Sequence, residues 1–438
     1  MNRTTMAEIE QYLIQRQMKL GMDFGLSRME KLLDYLGNPH LNLKFIHIAG
    51  SNGKGSTLNF IREILIEAGV SVGAFTSPYL ESINEQFMIN KEMIHDREFI
   101  SIFNQIEEVV ELMDKESNGP TQFEILTAIA FIFFKRNDVD LALIEAGLGG
   151  RLDSTNVVTP ILSIITSISL EHTNILGNSI EMIAREKAGI VKKGVTIISG
   201  VNNSQAEQVI RLKAESENAP LFQLGREFAV EARKNEDTSQ AFLFRMGEYV
   251  LENVRLAMLG KHQAENASCA LTAIRLINER DDFSINEESM RKGLCRAAWR
   301  ARFELLSRSP LIILDGAHNP AGISVLTETL HSAFPEKKYR FLFTALNDKN
   351  YQEMIQLLDQ NAEEVIFTEI PHARAAKAEE LYEWSKSRHK KWMKNWQMAI
   401  EEAMKNLSES EALIITGSLY FLALARPYAQ AVLEGKFK

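Results

Sequence analysis

The chain has 438 residues, with 49 Lys plus Arg against 58 Asp plus Glu and a formal net charge of −9. That length favours two or three domains with sizeable cores, and the negative balance, with no long basic run, disfavours broad electrostatic binding to nucleic acid. The only cysteines, Cys269 and Cys295, are too few for a disulfide scaffold and read as two core residues of a reduced, cytoplasmic protein.

The first stretch, MNRTTMAEIEQYLIQRQ, patterns as an amphipathic helix carrying acids rather than as a signal peptide. No apolar run reaches the roughly 18–20 residues that a membrane span needs, so no membrane partner is expected. KFIHIAG is a short buried strand, followed by a glycine-rich loop and a helix from about Ser56 to Ala68. VSVGAF is the next strand, ending at Thr76. Helices are expected near Asp96–Met113 and Gln122–Arg136, separated by the polar turn KESNGPT. LALIEAG, ILSIITSIS and VTIISG are apolar runs of the kind buried on both faces of a parallel sheet. Phe228–Glu252 is polar with short alternating runs and reads as a small antiparallel excursion. Helices follow near Gln263–Asn278 and Asn286–Ala297. A second α/β series then begins after Trp299 with PLIILDGAHNP, YRFLFTAL, EVIFTEI and ALIITGSLY. The expected domains are 1–298 and 299–438.

In an open parallel sheet, ligands bind beyond the carboxyl ends of the strands. Chemistry-bearing residues collect there. GSNGKGS follows the first strand, Thr76-Ser77-Pro78 the second, Glu145 and AGLGGRLDSTN the third, and Glu171-His172 the fourth. Asp315-Gly316-Ala317-His318-Asn319 and Gly417-Ser418 follow two strands of the second series. In the loop, Gly50, Gly53 and Gly55 let backbone N–H groups approach an anion, and the helix behind adds its positive end. Lys54 supplies a mobile charge for outer phosphates, and Ser56 or Thr57 can reach a metal. Glu145 suits either a hard Mg²⁺ ion or a turn cap. His172 fits a structural role as well as a functional one. Lys187, near a helix end in AREKAGIVKKG, reads by spacing as a solvated lysine favoured by the helix dipole. LDGAHNP, taken alone, is compatible with a helix cap.

Together GSNGKGS, TSP, EAGLGGRLDSTN, EHTNILG, EKAGIV, HQAENA, RFELL, DGAHNP and TGSLYF, in this order from Gly50 to Phe421, resemble the folylpolyglutamate synthase and dihydrofolate synthase enzymes of the Mur ligase superfamily. The resemblance implies an α/β fold: a Mur-ligase-like P-loop ATPase domain with a parallel sheet, plus a smaller Rossmann-like C-terminal α/β domain that binds glutamate. It implies a monomer using ATP, Mg²⁺ (two ions), L-glutamate and a reduced folate or dihydropteroate. The acceptor carboxylate would be phosphorylated and then attacked by the glutamate amine. Gly50, Asn52, Gly53, Lys54, Gly55 and Ser56 match the phosphate-holding residues, and Asn266 the adenine side. Arg302 and Asp315 match nucleotide contacts from the second domain. Ser77, Glu145 and His172 match the family's Mg²⁺ ligands. Lys187 matches a lysine that the family carboxylates, and Lys54, Lys187 and His172 the catalytic set. Gly25 and Leu26, Thr121 and Phe123, and Leu152 and Asp153 match the pterin side, and His318 and Ser418 the incoming glutamate.

Three departures stand out. Asn84-Glu85-Gln86-Phe87 replaces the family's NERI, Tyr79 stands where His or Phe is frequent, and Trp299-Arg300-Ala301-Arg302 replaces WPGR. The first puts the pteroate side in question, and the third suggests a stiffer or differently angled domain connection. Competing readings are a peptidoglycan Mur ligase, a generic NTPase or kinase, and a non-catalytic folate or nucleotide binder. The loop at residue 50 leaves room before it for only two helices and a strand, not a UDP-sugar domain, and Lys54, Glu145, His172 and Lys187 together speak against a mere binder.

Overall fold

The computed structural model describes residues 3–21, 24–236, 239–280 and 283–435. It divides into two compact units, residues 1–231, 243–254 and 265–296, and residues 232–242, 255–264 and 297–438.

The first unit opens with α1 (Met6–Leu20), whose N-terminus is closed by a capping box in which Thr5 and Glu8 satisfy each other's backbone N–H groups. Then come α2 (Ser27–Tyr35), β1 (Phe45–Ala49), α3 (Lys54–Glu67), β2 (Val72–Phe75), β3 (Phe87–Ile89) and β4 (Glu92–Met93). α4 (Asp96–Lys115) and α5 (Gln122–Arg136) lead to β5 (Leu141–Glu145) and β6 (Leu162–Ile165). The short α6 (Thr173–Leu176), α7 (Ile180–Ala188), β7 (Ile197–Ser199), α8 (Ser204–Ser216) and β8 (Leu221–Gln223) follow. The sheet order is β4-β3-β2-β5-β1-β6-β7-β8. It is parallel from β2 to β8 and carries an antiparallel hairpin at one edge. Every residue of β1, β2, β5 and β6 is buried, which is why their sequences are unbroken apolar runs. β1 lies between β5 and β6, so its loop sits where the strand order turns back on itself, the usual ligand position of such sheets.

Two expectations are corrected. ILSIITSIS is not one strand: β6 stops at Ile165, because residues 166–169 leave the ladder to bind the loop after β1. Cys269 is buried, but Cys295, in the last turn of a helix, is exposed. Burial pushes the Cys269 thiol up to about 12.

The polar stretch after β8 forms a three-stranded sheet of β9 (Phe228–Glu236), β10 (Ser239–Met246) and β11 (Tyr249–Leu256) in the order β11-β10-β9. α9 (Lys261–Glu279) and α10 (Glu287–Arg296) follow, and α10 packs along α3.

The second unit has a six-stranded sheet of β12 (Glu304–Arg308), β13 (Leu311–Asp315), β14 (Lys338–Phe343), β15 (Ala362–Glu369), β16 (Lys390–Asn395) and β17 (Glu411–Thr416). Its order is β12-β13-β17-β14-β15-β16, parallel except for β12. Helices α11 (Pro320–Ala333), α12 (Tyr351–Asp359), α13 (Ala378–Trp384), α14 (Trp396–Met404) and α15 (Leu419–Leu433) complete it. The four central strands are the four apolar runs. The edge strands β12 and β16 escape the sequence pattern because no residue of either is fully buried. Among the described residues no helix is long and apolar enough to cross a membrane.

Candidate active site

Beyond β1 the chain turns sharply at Gly50, whose φ of +154° places a hypothetical Cβ 1.9 Å from Thr166 Oγ1. The loop is then fastened by residues the sequence reading passed over. Thr166 Oγ1 donates to the Asn52 carbonyl at 2.7 Å, and Ser51 N–H donates to the Ser167 carbonyl at 2.8 Å. Ser167 Oγ lies within 3.0 Å of both the carbonyl and the N–H of Asn52. The signal was present as TSIS, a hydroxyl-rich tail on an apolar strand, but its register as strand or clamp was not.

Gly53 precedes α3 in the left-handed region, with φ +88°. Asn266, on α9, closes over it: a Cβ at Gly53 would meet Asn266 Oδ1 at 2.4 Å. The structure thus puts Asn266, expected on the adenine side, directly against the loop. Among the described residues no side chain caps the start of α3, which leaves the first-turn N–H groups facing the loop for an anion. Lys54 folds back, donating to the Gly50 carbonyl at 3.0 Å with its Nζ 3.9 Å from Glu145 Oε1. Ser56 and Thr57 are buried in the first turn, and Gly55 lies between Lys54 and them.

Glu145 ends β5 with its side chain buried, and its other oxygen accepts the Ser77 N–H at 3.3 Å. The carboxylate and the neighbouring Ser77 hydroxyl are hard oxygen donors, so their chemistry fits Mg²⁺. His172 stands in the left-handed region at φ +46°, just before α6. An unstrained turn does not require that conformation of a non-glycine residue.

Lys187 is the largest departure from reading by spacing. It lies in the last turn of α7 yet is buried, and its Nζ is 2.7 Å from Glu171 Oε1, with side chains 2% and 8% exposed. Burial lowers the ammonium's pKa, aided by the Lys54 charge and opposed by Glu171. Burial alone would raise Glu171, but the Lys187 and Lys54 charges outweigh it and hold the carboxyl at about 2. Lys187 thus pairs with Glu171 and Lys54 with Glu145, each lysine with a carboxylate of its own.

The pterin-side candidates take mainly structural positions. Thr121 caps α5 in a box with Glu124, and Glu124 accepts from Arg28 at 2.8 Å. Phe123 stacks on Phe75 with ring centroids 5.8 Å apart. Gly25 and Leu26 lead into α2. Leu152 is half-buried, whereas Asp153 is buried with its carboxylate turned to backbone N–H groups of its own segment. Gln86 is buried, and its Oε1 finds no hydrogen-bond partner among the described residues.

In the second unit Asp315 ends β13 and accepts from Phe303 N–H at 2.8 Å and Ala317 N–H at 2.9 Å. Burial pushes its carboxyl up while the Arg302 charge opposes that. His318 Nδ1 lies 2.8 Å from the Gly316 carbonyl. Ser418 precedes α15, and its buried Oγ has no partner among the described residues. Ala301 keeps φ +58°, a glycine-type conformation at the position where the resembling enzymes have glycine.

This fold and strand-end constellation define a Mur-type ligase. The Mur ligase middle domain model matches residues 48–274, and the Mur ligase glutamate ligase domain model matches residues 301–419. The chain is 41% identical over 412 residues to the dihydrofolate synthase/folylpolyglutamate synthase of Bacillus subtilis, covering 94% of this chain and 96% of that one. Among solved structures it is similar to Escherichia coli FolC in complex with DHPP and ADP, with a TM-score of 0.89, 27% identity and coverage of 100% and 99% of the two chains. Mycobacterium tuberculosis folylpolyglutamate synthase complexed with ADP gives a TM-score of 0.89 at 28% identity, covering 96% and 97%. The chain belongs to the dihydrofolate synthase/folylpolyglutamate synthase family.

Proposed function

We propose that this protein is an ATP-dependent ligase that adds L-glutamate to a reduced folate, and also to dihydropteroate, through an acyl phosphate, releasing ADP and phosphate. The observation that carries it is the pairing of Lys54 with Glu145 and of Lys187 with Glu171, with the phosphate-type loop at the same sheet edge. A carboxylate is a poor electrophile until one oxygen becomes a leaving group. Phosphorylating it brings two anions together, and fixed cations with backbone donors offset that repulsion. In this reading the loop N–H groups and Lys54 hold the transferring phosphate, and Lys187 and His172 border the reacting carboxylate. Ser77, Glu145 and His172 would hold Mg²⁺, which supplies charge neutralisation of the phosphates. Asn266, Arg302 and Asp315 are assigned to the nucleotide, and His318 and Ser418 to glutamate. The orphaned Ser418 hydroxyl supports the last assignment, since a buried donor without a partner is suited to a carboxylate. The protein is proposed to act as a monomer in the cytoplasm.

Carboxylation of Lys187 and a second Mg²⁺ belong to the same proposal. An anionic carbamate would face the Glu171 carboxylate, which now pairs with the ammonium, so a cation would have to come between them or Glu171 would have to turn away. The test is ADP release from Mg·ATP and L-glutamate with dihydropteroate or a reduced folate as acceptor. Glutamate-dependent release with at least one acceptor is expected; none with either rejects the reading. A Lys187→Ala variant should lose turnover far more than ATP binding.

A further inference from the structure

The imidazole of His47 plays no part in the chemistry above, yet it is completely buried on β1, three positions before Gly50. Its Nε2 lies 2.9 Å from Thr155 Oγ1. Thr155 gives its hydroxyl proton to Asp153 Oδ1, so towards His47 it offers only a lone pair. The ring proton therefore sits on Nε2, and the bare Nδ1 is the atom that finds no partner among the described residues. Burial, seconded by the Lys192 charge, pushes the ring down to about 3, so it is neutral at ordinary pH.

Asp153 passes this order on. Its carboxylate accepts Leu148 N–H at 2.8 Å and Thr155 N–H at 3.0 Å, closing the turn between them. At its other side the turn is fixed to α7. Arg151 N–H donates to the Glu186 carbonyl at 2.8 Å, and its guanidinium pairs with the Glu186 carboxylate at 2.9 Å. The Asn156 amide donates to the carbonyls of Arg151 and Gly189 at 3.0 and 3.1 Å. The segment Gly147–Asp153 is thus anchored between β1 and the helix carrying Lys187.

We infer that His47 is a positioning residue: its single Nε2–H, given to Thr155, orients Asp153 and with it the segment Gly147–Asp153, whose Leu152 and Asp153 the resemblance puts on the acceptor side. An apolar side chain of the same size would pack in the strand but could not satisfy Thr155. The inference rests on the ligase reading for its kinetic consequence, but the tautomer does not depend on it.

Two measurements test it. Nitrogen-15 imidazole shifts of the full-length protein, with the His47 ring assigned by its loss in His47→Gln, should show that ring fixed in the neutral Nε2–H form between about pH 5 and about pH 8; the buried His262, pushed down to about 4, is a second ring that stays neutral there. A titrating ring or an Nδ1–H form at His47 overturns the inference. In kinetics, His47→Leu should raise the acceptor KM severalfold, with about tenfold as the ceiling set by one hydrogen bond, and leave the ATP KM within about twofold. His47→Gln, whose amide reaches the Nε2 position, should restore most of that loss, and His47→Asn, whose amide cannot, should not. If His47→Leu fails to fold, the Gln and Asn variants decide alone. Equal KM changes for both substrates, or Gln no better than Asn, overturns the inference. A wild-type protein that turns over neither acceptor refutes the ligase reading instead, while the spectrum still decides the tautomer.

Discussion

Replacing Glu171 by Gln keeps its shape and a hydrogen-bond acceptor but strips the charge that compensates Lys187. The pair is 2.7 Å apart, with the lysine 2% exposed, so water cannot replace the lost carboxylate. Breaking one side of a buried ion pair typically costs about 3–5 kcal/mol, because a desolvated charge is left behind. The ammonium can escape part of this by shedding its proton, which its burial already favours. At about 2 °C per kcal/mol for a unit of this size, melting should fall by ~6–10 °C. The assay is thermal unfolding of the free protein in chelator, without bicarbonate, so that neither metal nor carbamate intervenes. Removing both charges in Glu171→Gln/Lys187→Met should recover most of the loss, since neither member of the pair is then left as an uncompensated buried charge. An unchanged melting temperature in the single variant, or a double variant no more stable than the single, would refute the claim that the two side chains form a compensated buried pair.

Gly53→Ala should weaken ADP binding by roughly tenfold or more, read by titration calorimetry: the left-handed φ costs about 1–2 kcal/mol and the new Cβ meets Asn266. Wild-type affinity in the variant would show that the loop is not held as described. Ala301→Gly should raise stability by up to about 1 kcal/mol in denaturant unfolding, because the alanine now holds φ +58°; a loss would mean the conformation is not strained. The buried His47 supplies a pH dependence. Its folded value of about 3 lies below the unfolded 6.5, so the unfolded chain takes up a proton first. Stability from this group is intact above about pH 6.5 and falls as the pH drops towards 3. At pH ~4.5 the wild type should have lost about 3 kcal/mol more than His47→Gln, relative to neutral pH. Parallel pH curves for the two proteins would contradict a neutral buried ring.

The parts legible in the sequence share one physical cause. β1, β2, β5 and the strands β13 and β17 of the second sheet are buried on both faces apart from an end residue, so each is an apolar run followed by a conspicuous polar residue. Edge strands such as β12 and β16 pack on one side at most and leave no such mark. The loop after β1 and Glu145 could be found because glycine and carboxylate are unusual at a buried strand end. Lys187 could not be read by spacing: its partner Glu171 is local neither in sequence nor in periodicity, and only the resemblance flagged it. The clamp at Thr166 and Ser167 was hidden because hydroxyls are compatible with a strand. The Thr121 and Asp153 side chains show the converse, since a motif position names a segment without saying whether its side chain faces a ligand or holds the turn. At the Arg300-Ala301 departure the backbone of Ala301 is left-handed, a conformation the substitution of glycine by alanine does not announce.

The central claim is that phosphate passes to the acceptor carboxylate before glutamate attacks. An acceptor labelled with heavy oxygen in its carboxylate, incubated with Mg·ATP and L-glutamate, tests it directly by mass spectrometry of the phosphate released. The account predicts one labelled oxygen per phosphate and one new glutamyl residue per ADP. Phosphate without label, alongside normal amide formation, would contradict it.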